Sequence, residues 1–137
     1  MSFGYHPYFV LAGVERAAWR LELPARRHTV LDDRGLPAAD GDREESEAGP
    51  LGERTFDDGY DELDPARFAL EGGGRRIEVE FLEGYPIAQV YAPAGQDLVA
   101  FEPMTAPVNA LATGDRLPRA TPERPYRASF RVRCEIA

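Results

Sequence analysis

Residues 126–136 alternate strictly: Tyr126, Ala128, Phe130, Val132, Cys134 and Ile136 are apolar, and Arg127, Ser129, Arg131, Arg133 and Glu135 stand between them. A period of two puts one set on each face of an extended chain, so this segment predicts a half-buried strand with Phe130, Val132 and Cys134 buried together. The same alternation recurs at Trp19, Leu21 and Leu23 around Arg20 and Glu22, and at Ile77, Val79 and Phe81 around Glu78 and Glu80. Shorter β-prone stretches cover residues 87–91 and 98–101, and Gly72-Gly73-Gly74 supplies the positive φ values that a tight hairpin turn needs. No window of eleven or more residues carries a helical apolar stripe, and 12 prolines with 13 glycines would interrupt long helices. The expected fold class is all-β, with antiparallel sheets and long loops.

One stretch lacks any such pattern. Residues 32–54 are acidic and polar, with Leu36 and Leu51 their only large apolar side chains, and read as a long surface loop whose acidic part, residues 40–47, is mobile. There is no internal repeat and no interdomain linker. At 137 residues the length suits one domain.

Composition then narrows the chemistry. A net charge of -8 argues against a nucleic-acid partner, which is held through clustered basic side chains. All 16 basic residues are Arg, so no Lys is present to form a Schiff base with a sugar or with pyridoxal phosphate. One cysteine, Cys134, and two histidines, His6 and His28, do not make a zinc ligand set, and Cys134 is expected to be a small buried hydrophobe. No apolar run nears the ~20 residues of a membrane span, and no secretory signal opens the sequence, which points to the cytoplasm.

Three clusters can carry chemistry. In Gly4-Tyr5-His6-Pro7-Tyr8-Phe9, Pro7 favours extended backbone at His6, aromatic faces suit the C–H faces of a pyranose, and imidazole exchanges protons near neutrality. Taken singly, a histidine among aromatics is more often packed or simply exposed. Phe56-Asp57-Asp58-Gly59-Tyr60-Asp61 offers carboxylates that can grip hydroxyl pairs, although Asp and Gly also form ordinary turns. In Phe101-Glu102-Pro103-Met104-Thr105-Ala106-Pro107, Glu102 ends an apolar β stretch on the face of Leu98 and Ala100. A carboxylate facing an apolar interior would have a raised pKa and act as a base near pH 7, whereas a Glu at a strand end is more often exposed or salt-bridged.

In order and spacing these segments resemble the aldose 1-epimerase (galactose mutarotase-like) family, in the branch that carries His-Pro-Tyr, a later Asp followed by an aromatic, and Glu-Pro-Met-Thr-Ala-Pro with Asn-Ala after it (Asn109-Ala110 here). The resemblance implies part of a β-supersandwich and a cofactor-free isomerase interconverting the α and β anomers of an aldose. It assigns His6 and Glu102 as the catalytic acid and base, and Asp57, with Asp58 as its neighbour and rival, as the hydroxyl-binding carboxylate. It also implies that residues 1–137 are the C-terminal portion of the domain, because the arginine and second histidine of the family's earlier half have no counterpart here. The partners expected are a small aldose and either the N-terminal half or a second copy of the chain. Two other readings remain at this point: a non-catalytic carbohydrate-binding or degenerate sandwich, and a glycoside-processing enzyme using Asp57 and Glu102 as a carboxylate pair. The second gives His6 no task.

Overall fold

The structure, a computed structural model, describes residues 1–136. Two antiparallel sheets pack face to face. The first runs in the order β1 (Tyr8–Phe9), β10 (Val99–Met104), β9 (Ile87–Ala92), β6 (Phe56–Asp64), β3 (Ala25–Leu31) and β4 (Pro37–Glu44). The second runs β11 (Ser129–Ile136), β8 (Arg75–Glu83), β7 (Arg67–Gly72), β2 (Arg20–Leu23) and β5 (Glu47–Pro50). A short helix α1 (Ala110–Thr113) follows β10. The all-β expectation holds, and Gly73 and Gly74, with φ of 57° and 71°, form the two-residue turn between β7 and β8.

Alternating apolar residues fill the space between the sheets. Trp19, Leu21, Phe68, Leu70 and Val79 come from the second sheet or its approach, and Val90, Val99 and Phe101 from the first. Phe68 stacks on Phe101 with ring centroids 5.2 Å apart, which ties β7 to β10 across the core. With Val99, Phe101 and Pro103 turned inward, Glu102 must face the other way, onto the outer surface of the first sheet. It shares that face with Ala100, as expected, but it does not point into the core.

Two expectations are corrected. Residues 32–54 are not a loop: after a turn closed by Asp32 and Gly35 they form β4 and β5. Both are edge strands, so most of their side chains meet water and the apolar alternation that marks an inner strand is missing. Ion pairs take its place. Arg27 reaches Asp40 at 3.0 Å, Arg43 reaches Glu62 at 2.7 Å, and the buried Arg26 meets Glu47 at 2.7 Å and also Glu44. In β11, only Phe130 is half-buried, while Val132 and Cys134 are exposed. They lie beside Val79 and Ile77 in register, on the core side of the sheet, but at its rim.

Candidate active site

The site is built by register. The N-terminal segment runs antiparallel to β10, with Gly4 opposite Met104, Tyr8 opposite Ala100 and Phe9 opposite Val99. His6, midway between Gly4 and Tyr8, therefore stands opposite Glu102, at the place where Pro7 lacks the N–H to continue the ladder. Three hydrogen bonds clip this segment down. Tyr5 N–H donates to the Pro103 carbonyl at 3.1 Å, Thr105 N–H to the Phe3 carbonyl at 3.0 Å, and Phe3 N–H to Thr105 Oγ1 at 3.0 Å. The buried Thr105 hydroxyl also donates to the Phe3 carbonyl at 3.0 Å. Gly4 is required by the closeness of this approach, since a Cβ there would lie 2.6 Å from the Pro103 oxygen.

His6 Nε2 lies 2.9 Å from Glu102 Oε1. The glutamate side chain is 12% exposed and the histidine 46%, so the pair has a protected carboxylate end and an open imidazole end. Burial first, and the charge of Asp57 second, push the Glu102 carboxyl up to about 7. A base that titrates there is suited to taking a proton near neutrality.

Two cross-strand rows surround the pair. One contains His6, Glu102, Gln89 and Gly59, and the next Tyr8, Ala100, Tyr91 and Asp57. Gln89 Nε2 donates to Asp57 Oδ1 at 2.8 Å, and the His6 ring lies 4.6 Å from that of Tyr8 and 5.7 Å from that of Tyr91. Gly59 and Ala100 add little bulk to these rows. The result is a shallow floor carrying a histidine–glutamate pair, a carboxylate oriented by an amide, and two aromatic rings. Beside it Asp61 receives two hydrogen bonds from Arg27, each at 2.9 Å, and is further held by Arg116.

All three residues singled out from sequence, His6, Glu102 and Asp57, lie on this face. Asp58 does not join them: it meets His28 Nε2 at 3.0 Å, and the His28 ring packs near Tyr60. Gln89 and Tyr91 went unnoticed in the sequence. Their signal was weak but present, two polar-tipped side chains at alternate positions of an otherwise apolar strand. A cavity of about 520 Å³ lies elsewhere, against Arg20, Glu71, Gly72, Arg75, Arg76 and Glu135, and none of the three predicted residues lines it. Among the described residues no group of three or more potential metal ligands occurs, and no helix is long and apolar enough to cross a membrane.

No protein-family profile and no curated protein matches the sequence. Solved structures resemble the chain, among them the following three. The Slr1438 protein of Synechocystis sp. PCC 6803 is 28% identical over 96% of this chain, with a TM-score of 0.65. A "putative aldose 1-epimerase" of Escherichia coli K12 is 18% identical over 99%, with a TM-score of 0.67. A galactose mutarotase-like protein of Clostridium acetobutylicum is 15% identical over 100%, with a TM-score of 0.66. The chain spans 44%, 50% and 48% of these proteins, about half the length of each. In fold, the chain is like one half of a galactose mutarotase-like β-sandwich, the fold of the family that its His6, Asp57 and Glu102 segments resemble.

Proposed function

We propose that this chain carries the acid–base machinery of an aldose 1-epimerase, with His6 as acid, Glu102 as base and Asp57 as a ligand to sugar hydroxyls. The observation that carries the reading is the His6–Glu102 contact of 2.9 Å on a face flanked by Asp57, Tyr8 and Tyr91. The ring oxygen and the hydroxyl oxygen of an anomeric centre sit on the same carbon. An acid and a base that already touch can therefore address both once the sugar slips between them. Glu102, as carboxylate, takes the proton of the anomeric hydroxyl; that O–H pair becomes the carbonyl π bond. The bond from the anomeric carbon to the ring oxygen breaks, and the ring oxygen takes a proton from the His6 imidazolium. Before and after, the pair holds one proton in total. Rotation about the adjacent C–C bond turns the other carbonyl face to the hydroxyl, and the reverse transfers close the other anomer.

Asp57, oriented by Gln89, is placed to accept hydrogen bonds from hydroxyls, and the tyrosine rings to cover C–H faces of the sugar. The reading also takes residues 1–137 as the C-terminal portion of a larger domain whose remainder walls the site. Support for that lies in the half-length match to the three solved structures and in the open imidazole end of the pair.

The test is anomer exchange measured by NMR saturation transfer on glucose and galactose. Glu102→Gln removes the proton acceptor and should lower the exchange rate at least ~10²-fold while sugar binding persists, and His6→Asn should cause a comparable loss. Unchanged exchange in Glu102→Gln would remove Glu102 from the mechanism.

A further inference from the structure

We propose that Arg116 is a second ligand to the sugar, donating to a hydroxyl on the edge of the ring opposite the one that Asp57 faces, and that Asp61 positions it. The assignment rests on the function proposed above, with the anomeric centre at the His6–Glu102 pair, and extends it to the rest of the ring. Glu102, Gln89 and Gly59 form one cross-strand row on β10, β9 and β6, so Gly59 lies about 10 Å from Glu102, two strand spacings away. Gly59 adds no side chain to that row, and a Cβ there would lie 3.3 Å from Gln89 Oε1. A ring with its anomeric centre at the pair can therefore lie along this row with its far end over Gly59.

On β6, Asp57 and Asp61 stand two residues before and after Gly59 and share its face, about 13 Å apart. One carboxylate thus flanks each edge of the ring, but the two differ. Asp57 is exposed and is bonded by the Gln89 amide, which leaves it acceptor capacity for hydroxyls. Asp61 is buried and bonded at both oxygens, Oδ1 by Arg27 Nε and Oδ2 by Arg27 Nη2, each at 2.9 Å, and Oδ2 again by Arg116 Nη1. The Arg116 side chain is 43% exposed against 7% for Asp61, so on this edge the sugar meets a guanidinium and not a carboxylate. Of the two arginines, Arg27 is also engaged by Asp40 at 3.0 Å and Glu62 at 3.3 Å. Arg116 meets only Asp115 besides, at 3.4 Å through Nε, and its Nη2 has no partner among the described residues. Arg116 comes from the segment after α1, and Ile87, on the face of Gln89 and Tyr91, is buried, so this end of the floor is covered. A ring held here has an acceptor along one edge and a charged donor along the other, and hydroxyls serve both.

Sugar binding, titrated by saturation-transfer difference NMR, tests the contact without requiring turnover. The ligands are the tighter-binding of glucose and galactose and its 3-, 4- and 6-deoxy analogues. Arg116→Ala removes a charged donor and should raise Kd for the parent sugar about ten- to hundredfold, while Arg116→Lys recovers part of the affinity. The deoxy sugar that lacks the bonded hydroxyl should bind wild type and Arg116→Ala alike, because the contact is already gone; the other two should keep the penalty. Asp61→Asn loosens Arg116 and should reproduce this pattern at smaller amplitude, and an intact urea-unfolding midpoint separates it from a lost fold. An equal penalty for the parent sugar and all three analogues would make Arg116 merely structural. That result, unchanged affinity in Arg116→Ala, wild-type affinity in Asp61→Asn, or a wild-type chain that binds none of these sugars would each overturn the proposal. Binding with the deoxy pattern intact but no anomer exchange would instead sink the acid–base reading and leave the Arg116 contact standing.

Discussion

Glu102 is the side chain on which the proposed chemistry turns, and its environment sets a pH signature. Only the carboxylate can take a proton, and burial with the Asp57 charge holds its pKa near 7. The exchange rate should thus fall about tenfold per unit as pH drops below about 7, which a profile from pH 4 to 8 would show. The cause can be tested separately. Asp57→Asn removes the second contribution, letting Glu102 ionise at lower pH, so the acid limb should move down in pH while KM rises with the loss of a hydroxyl ligand. Asp58→Asn should do neither, because Asp58 is engaged by His28. A limb unmoved in Asp57→Asn would separate Asp57 from the base.

Strand β10 and the segment laid along it form the positioning element. Phe101 is locked into the core by Phe68, which turns Glu102 outward, and Thr105 binds both the N–H and the carbonyl of Phe3, which holds His6 across from it. The Glu-Pro-Met-Thr segment therefore supplies the proposed base and, three residues on, the clip for the proposed acid. Thr105→Ala removes the acceptor of the part-buried Phe3 N–H and one of the two donors to its carbonyl, and should cost about 0.5–1.5 kcal/mol of stability, measured by urea unfolding. It should also lower kcat about tenfold with a smaller change in KM, because the floor stays while His6 loosens. Thr105→Ser keeps the hydroxyl and should recover most of both; failure of Ser to rescue would mean that packing, not hydrogen bonding, holds the segment.

The whole molecule offers a floor with little wall. The His6 side chain is 46% exposed, and Tyr5 and Tyr8 beside it are 56% and 58% exposed. If the remaining wall comes from the rest of a larger domain, the 137-residue chain alone should exchange anomers about 10²-fold more slowly than a full-length aldose 1-epimerase, since small misplacements of substrate carry penalties of that size. Polarimetry on fresh α-glucose or α-galactose measures this directly. Equal rates would mean that the site is complete as it stands.

The inner strands were legible in the sequence, because a strand with one face in the core must alternate: Leu21 and Leu23, Val79 and Phe81, Val99 and Phe101 announced their faces. The turn at Gly73-Gly74 was legible because few other residues adopt its φ values. The strands β4 and β5 were not, since an edge strand wet on most of its surface has no apolar period and is held by ladder bonds and ion pairs to residues far along the chain. The burial of β11 was misjudged for a related reason: alternation says which side chains share a face but not whether another sheet covers it, and among the described residues none covers Val132 and Cys134. The site divides likewise. The resemblance carried by their segments marked His6, Asp57 and Glu102, whereas the placement of Asp57 and not Asp58 on the face of Glu102, the bond from Gln89 and the pairing of His6 with Glu102 depended on strand register, a relation between segments that no single segment contains.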